Sequence, residues 1–413
     1  PFDSMTYVID QNGNENFNEY AKGLKAVKDA WEQYGMATKI MGPHVANFEA
    51  TPGNPYNLRR QDLMIQGVKN HADPALIDFL DYYNANYYNG TSTNVNKNVA
   101  GFWYGGDEVA RGEWGWHTPP GVSEDGKGIW FSETGGGQAE WLTGDGGTTP
   151  GNGAIIVALK MHNALVLGHA SAYVYWQMSD GSYHETTHTL LGGEHLSNPG
   201  GSKKYNSFKH FSRYVRPGAQ RVEATFENGT GSIGGSSEFS TYYSLNVSAY
   251  IHDEDRTLTY VFVNMEDTSR EVTIALPVEE TVDLFEVFRT SETEDFLQLS
   301  DILVDGEEVT VTIPAYSLLT LHGQLGAPPI PGDANGDGIV SDADYTVWAD
   351  NYGAADATWA MGDFNGNGTV TEADYTIWAD NYGATSAEAG VPEPATLLVL
   401  AAGVLAVRRR NVR

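Results

Sequence analysis

The chain has 413 residues, with 54 acidic and 24 basic side chains and a formal charge of −30, so it lacks the clustered Lys and Arg that a polyanion such as nucleic acid requires. Apolar residues make up 41% and aromatics 12%, too much hydrophobic material for a disordered acidic chain and enough for more than one core. The absence of cysteine excludes disulfides, zinc–thiolate centres and a thiol nucleophile.

The start, Pro1-Phe2-Asp3, has no initiator Met, no charged start and no apolar run, so no signal peptide is expected in this stretch, which reads as a truncation. Phe17, Tyr20, Ala21, Leu24, Val27, Trp31 and Tyr34 share one helical face, with Asn16 and Glu19 as a capping pair and Gly35 as the stop. Strands are expected at Ala37 to Met41, Ile77 to Tyr88, Ile129 to Ser132 and Ala170 to Gln177, with a helix from Ala154 to Leu167 stopped by Gly168. Alternating strands and helices point to a parallel α/β fold. About four strand positions in roughly 200 residues are half of what a closed eight-fold barrel contains.

Barrel chemistry sits just past the strand ends. In Gly128-Ile129-Trp130-Phe131-Ser132-Glu133-Thr134-Gly135-Gly136-Gly137 a carboxylate follows a buried strand and glycines free the backbone beyond it. Glu133 is therefore placed to face a cleft, or else pairs structurally with a neighbouring Arg. Trp176 ends the next strand, where an indole either floors a sugar ring or joins the core. Between strands, Trp103, Tyr104, Trp114, Trp116 and His117 lie among glycines, as sugar subsites or as a self-packed loop. His44 follows a strand end, and His162 is expected to be a satisfied helix residue.

These segments resemble the glycoside hydrolases of clan A, most closely family 30, in which a nucleophilic Glu ends the seventh strand and a Trp ends the eighth. Lys204 to Val222 is similar to that family's crossing from barrel to β-sandwich, and Val287 to Ser291 and Ile313 to Leu318 look like its late sandwich strands. The resemblance implies that Glu133 is the nucleophile, Trp176 the platform at the cleaved sugar, and Tyr88 or Tyr87 a hydrogen-bonding partner of the nucleophile. Trp103 and Trp116 would line subsites. Catalysis would need no cofactor.

The clan takes its acid/base from an Asn-Glu pair. Asn14-Glu15 is the candidate within this chain, although Glu15 lies close to the helix cap with no buried strand leading into it. The alternative is an acid/base before Pro1, which would leave this piece inactive. Two further readings stay open: a carbohydrate-binding or adhesion protein built on a dead barrel, and a clan A enzyme of another family.

After Pro217-Gly218 the pattern changes to short alternating runs: Ser248 to Ile251, Leu258 to Val263, Val272 to Leu276 and Val309 to Ile313. These read as antiparallel strands of a sandwich. Gly326 to Gly332 is a proline-rich spacer.

Residues 333–354 and 363–384 repeat at a period of 30 with 16 of 22 positions identical. Each copy opens with oxygen donors at loop positions 1, 3, 5, 9 and 12: Asp333, Asn335, Asp337, Ser341 and Asp344, then Asp363, Asn365, Asn367, Thr371 and Asp374. Gly338 and Gly368 stand at position 6, and Ile339 and Thr369 would each add a backbone carbonyl at position 7. That is the spacing of a calcium loop, giving two Ca2+ sites. Position 12 is Asp and a single helix follows each loop, Tyr345 to Asn351 and Tyr375 to Asn381. The pair resembles a type I dockerin, which implies a cohesin partner; the other reading is a stalk.

Finally, Val391-Pro392-Glu393-Pro394 precedes 13 uncharged residues, Ala395 to Val407, and then Arg408-Arg409-Arg410. The run is short for a free-standing membrane span, and the basic cluster would hold the tail on the cytoplasmic side. The order resembles a PEP-CTERM sorting signal, read by sorting and processing machinery at the membrane.

The expected chain is thus multidomain: the second half of a (β/α)8 TIM barrel (1–200), an antiparallel β-sandwich (201–324), a Pro-rich linker (325–332), an α-helical dockerin-like calcium module (333–384) and an apolar helix in the sorting segment (391–413). The expected function is that of an exported retaining glycosidase of the envelope or extracellular space, with a polysaccharide substrate and a transient C-terminal membrane segment.

Overall fold

A computed structural model describes residues 18–37, 39–42, 67–87, 125–144, 150–222, 245–276, 281–306, 308–326, 330–355 and 357–385, with single positions 65 and 224. The chain divides into two compact units, one holding residues 1–275 and 282–324, the other 276–281 and 325–413.

In the first unit, helix α1 (Asn18–Tyr34) ends where Gly35 adopts a φ of +64°, a left-handed conformation that glycine takes without a Cβ clash. Its Ala21 and Leu24 pack with Leu76, Leu80, Ile129 and Phe131 in one core. Lys25 and Lys28 pair with Asp73 at 3.8 and 3.6 Å. Asp73 in turn accepts from Ala75 N at 3.1 Å and caps a 3-10 turn, Pro74–Phe79.

That turn corrects the expected strand at Ile77. Proline supplies the φ of a helical first turn, so the chain extends only at β1 (Tyr82–Tyr87). The strand expected over Ala37 to Met41 is reduced to one parallel bridge, Met41 to Tyr82, with Ile40 held to Asp81 through its amide and its carbonyl.

Strands β1, β2 (Gly128–Thr134) and β3 (Ala170–Tyr175) form a parallel sheet in that order. Helix α2 (Ile155–Val166) makes the crossover from β2 to β3. It is buried almost all round, as its mostly apolar sequence demands, with Lys160, His162 and Asn163 buried among the aliphatic residues. His162 departs from expectation: it is fully buried, and among the described residues neither ring nitrogen has a hydrogen-bond partner. Burial, with a smaller contribution from Arg221, lowers its pKa to about 3.

Helix α3 (Lys203–Ser212) is capped by Ser202, which accepts from Tyr205 N. The strands that follow are β4 (Gln220–Val222), β5 (Leu245–His252), β6 (Thr257–Asn264), β7 (Arg270–Ala275), β8 (Val282–Thr290), β9 (Leu297–Gln298), β10 (Ile302–Leu303), β11 (Glu308–Ile313) and β12 (Ser317–Leu325). A seven-stranded antiparallel sheet runs β10-β8-β12-β6-β5-β4 with β9 on β8, and β7 pairs with β11 separately. The alternating runs read from sequence are strands. Of Ile313 to Leu318, Ile313 ends β11 and Ser317 and Leu318 open β12, with the turn confined to Pro314 to Tyr316.

Tyr250, Val261, Val263 and Leu318 of the large sheet share a core with Ile155 and Leu159 of α2 and Phe211 of α3. His210 bridges the layers, its ring nitrogens 2.7 Å from Thr320 Oγ1 and 2.8 Å from Thr290 Oγ1.

In the second unit, helices α4 (Asp342–Asp350) and α5 (Glu372–Asp380) each begin in a capping box, Ser341 with Asp344 and Thr371 with Asp374. They therefore start three residues before the helices expected from sequence. Among the described residues no helix is long and apolar enough to cross a membrane. The expected helix in 391–413 lies outside the described residues.

Candidate active site

The parallel pairing brings the ends of β2 and β3 together. Asn86 of β1 pairs with Glu133 while Ala85 pairs with Phe131, so Ser132 is an extra residue in β2. The β2–β3 register shifts over the same stretch, between Phe131 and Thr134. A bulge of this kind re-aims the side chain beside it, and here that side chain is Glu133, which is half-buried inside the strand rather than just past it. Thr134 Oγ1 donates to Val174 O at 2.8 Å, and Trp176 N donates to Thr134 O at 2.6 Å. Trp176 thereby starts one step from Glu133. Trp176 as a residue is 49% exposed, which removes the reading of it as core. The Trp176–Gln177 peptide is cis.

The glycine segment after Glu133 is held carbonyl by carbonyl. Lys160 Nζ of α2 donates to Gly135 O at 2.5 Å. Tyr175 Oη donates to Gly136 O at 2.6 Å, and Gly136 N to Thr187 O at 2.8 Å. Burial, followed by Tyr173 and Glu185, raises the Tyr175 hydroxyl's pKa, so the phenol stays a donor.

Below the 186–189 turn, Lys204 and Glu185 have side chains exposed by 0% and 1%, with Lys204 Nζ 3.6 Å from Glu185 Oε2. His195 Nδ1 lies 3.1 Å from Glu185 Oε1. Desolvation lowers the Lys204 pKa and raises that of Glu185, each shift opposed by the other's charge. Sequence reasoning missed Lys160, Tyr175, Glu185 and Lys204 as groups that shape this region. The available signal was a lysine inside the apolar run Ile155 to Met161, which only a buried partner would justify.

Of the other candidates, Tyr87 lies in β1, its backbone paired with Thr134. Glu15, Tyr88, Trp103 and Trp116 lie outside the described residues, as do His44, Tyr104, Trp114 and His117.

The repeat loops are built alike. Asp333 accepts from Gly336 N and Gly338 N, and Asp344 from Ala334 N, Asn335 N and Ser341 N. Asp363 and Asp374 repeat this with Asn367 N and Gly368 N, and with Asn365 N and Thr371 N. These four carboxylates are between 0% and 4% exposed, and residues 333–384 contain no Lys, Arg or His. Two buried carboxylates per loop with no basic side chain in the module fit a hard cation, since buried charge needs a counter-charge. Among the described residues no three Asp, Glu or His side chains converge as a metal cluster. A cation here would therefore draw on Asn335, Ser341, Asn365, Asn367, Thr371 and the carbonyls of Ile339 and Thr369.

Residues 390–412 match the PEP-CTERM protein-sorting motif, which bears out the reading of the tail and implies export with a C-terminal sorting signal. No curated protein matches the chain. A conserved exported protein from Bacteroides fragilis is similar in structure at a TM-score of 0.50 and 16% identity, over 74% of this chain and 60% of that one. A family GH30 endoxylanase from Clostridium papyrosolvens C71 aligns at 0.49 and 18%, over 77% and 64%. A family 44 xyloglucanase from Paenibacillus polymyxa aligns at 0.44 and 12%, over 75% and 61%. The chain spans less than two thirds of the length of each.

Proposed function

We propose that this chain is the C-terminal part of an exported retaining glycoside hydrolase acting on a polysaccharide, of the family 30 type, with Glu133 as nucleophile and Trp176 as the platform for the sugar being cleaved. The observation that carries the reading is the joined strand ends: the Trp176 N–H to Thr134 O bond of 2.6 Å sets an exposed indole beside the bulge that carries Glu133. In a retaining mechanism the Glu133 carboxylate attacks the anomeric carbon while a second carboxyl group, about 5 to 5.5 Å away, protonates the departing oxygen. A water activated by that same group then releases the sugar. The acid/base is Glu15 or a residue preceding Pro1, and positioned acid catalysis of this kind is worth about 10²- to 10⁴-fold. The Tyr87 or Tyr88 hydroxyl would hydrogen-bond the nucleophile, and Trp103 and Trp116 would extend the sugar-binding surface.

The repeat at 333–384 is read as a dockerin-like module holding one Ca2+ per loop. Its helices α4 and α5 would meet a cohesin-type protein. Ca2+ there supplies folding energy and takes no part in glycoside cleavage.

The test is Glu133→Gln in a protein that includes the upstream coding sequence, assayed on a panel of xylan, glucan and galactan. Loss of turnover by about 10³-fold or more, with saccharide binding kept, is expected for a missing nucleophile. Full turnover in the variant would refute the assignment, and sugar binding without any turnover in the parent would favour the adhesion reading.

A further inference from the structure

We infer that Lys204 is a positioning residue for the proposed site, the charged side chain that ties down the turn from which both Glu133's glycine segment and Trp176's segment hang. The inference rests on the hydrolase reading only for what those segments do. The geometry stands without it.

Two backbone bonds and two side-chain bonds reach residues 186–189 from other segments. From above, Gly136 N donates to Thr187 O at 2.8 Å, and Gln177 N donates to His188 O. Leu190 N and Leu191 N return to Gln177 O and Met178 O, each at 2.9 Å. The segment after Glu133 and the segment after Trp176 therefore rest on neighbouring carbonyls of one turn. From below, Lys204 Nζ donates to Thr186 O at 2.5 Å and to Thr189 O, the two carbonyls that flank those used above.

The lysine stem touches the same segment. A Cβ built on Gly137 would lie 3.4 Å from Lys204 Cδ and 3.1 Å from Val157 Cγ2, and Gly137 has a φ of +85°. Thus Gly136 is tied to the turn, and Gly137 packs directly on the side chain that supports it. Glu185, at the entrance to the turn, balances the ammonium charge. A neutral residue could fill this volume but could not tie two carbonyls to a helix. Charge-assisted bonds are stronger than neutral ones, and breaking them leaves Thr186 O only the longer bonds from Thr189 N and Thr189 Oγ1, at 3.2 and 3.4 Å.

The experiment compares wild type, Lys204→Met and Lys204→Arg in the full chain by amide hydrogen exchange. In Lys204→Met the amides of Gly136 and Gln177 should exchange at least tenfold faster, while those of α2 and β6 keep their wild-type rates. Lys204→Arg, which still donates, should recover most of the protection. Equal rates at Gly136 and Gln177 in Lys204→Met would overturn the inference, and so would a uniform acceleration throughout the chain, the mark of a merely structural residue. Should Lys204→Met fail to fold, Lys204→Gln, too short to reach both carbonyls, serves in its place with the same expectation. Glu133→Gln is the control that separates the two readings. It should leave both amides protected whatever it does to turnover, so a nucleophile assignment that fails there leaves the exchange result intact.

Discussion

The indole N–H of Trp378 donates to the carbonyl of Ser341 at 2.9 Å. Trp348 does the same to Thr371, also at 2.9 Å. Position 9 of each repeat loop is thus held by the helix of the other copy, and the backbone repeats the exchange through Gly383 N to Val340 O and Gly353 N to Val370 O. A ligand that orders one loop must then favour order in the other. We expect the full chain to bind two Ca2+, Asp344→Ala to bind one, and the surviving loop to lose about tenfold in affinity, ~1.4 kcal/mol. Calorimetric titration measures both quantities. Two equivalents in the variant, or none in the parent, would contradict the calcium reading.

Trp176 is a surface ring in this unit, so its loss should separate stability from binding. Trp176→Ala is expected to change unfolding free energy by no more than about 0.5 kcal/mol, as an exposed site does. It should weaken binding of a neutral oligosaccharide by roughly tenfold, ~1.4 kcal/mol. Fluorescence titration beside urea unfolding decides the matter, and equal sugar affinity in the two proteins would remove Trp176 from the site.

His210 and His162 give the first unit a defined response to acid. Burial foremost, with Lys209 second for His210 and Arg221 second for His162, lowers each pKa to about 3 in the folded state, whereas an unfolded histidine titrates near 6.5. Below that value the unfolded chain takes up protons that the folded chain refuses. Stability is therefore complete above about pH 6.5 and declines as the pH falls toward 3, by up to ~1.4 kcal/mol per pH unit for each histidine. Urea unfolding at pH 7, 6 and 5 should show that slope, and His210→Gln should flatten it while lowering stability at pH 7. A slope unchanged by the substitution would exclude His210 as a source.

Gly153 precedes α2 where no side chain fits. A Cβ there would lie 2.1 Å from Trp141 O and 2.6 Å from Trp141 C, contacts with backbone that cannot swing away. Gly153→Ala should cost about 1 to 3 kcal/mol, typical of overpacking, seen as a lower melting temperature. An unshifted transition would mean that the Trp141 backbone yields freely.

The elements legible in the sequence were those whose own pattern sufficed. Helix α2, β2 and β3 follow from apolar runs between glycines, the strands β5, β6, β7 and β11 from short alternating runs, and the repeat from its period. What stayed hidden depended on partners far along the chain. Asp73 and Pro74 convert the run at Ile77 into a 3-10 turn because Lys25 and Lys28 reach Asp73 from α1. The bulge at Ser132 exists only in the register with β1 and β3. Lys204 reads as an ordinary polar residue just after a helix cap, and only the 186–189 turn, which bends back over it, reveals its use.

The core shared by α2, α3, β5, β6 and β12, with the Trp141 indole N–H donating to Tyr316 O at 2.7 Å, has a consequence for how such proteins are cut and recombined. The crossover helix that lies between the Glu133 and Trp176 strands is also floor to the large antiparallel sheet. Severing the chain near residue 217 would strip apolar surface from both pieces, so the two layers travel as one cassette. Grafting experiments should place their junctions beyond Gln324.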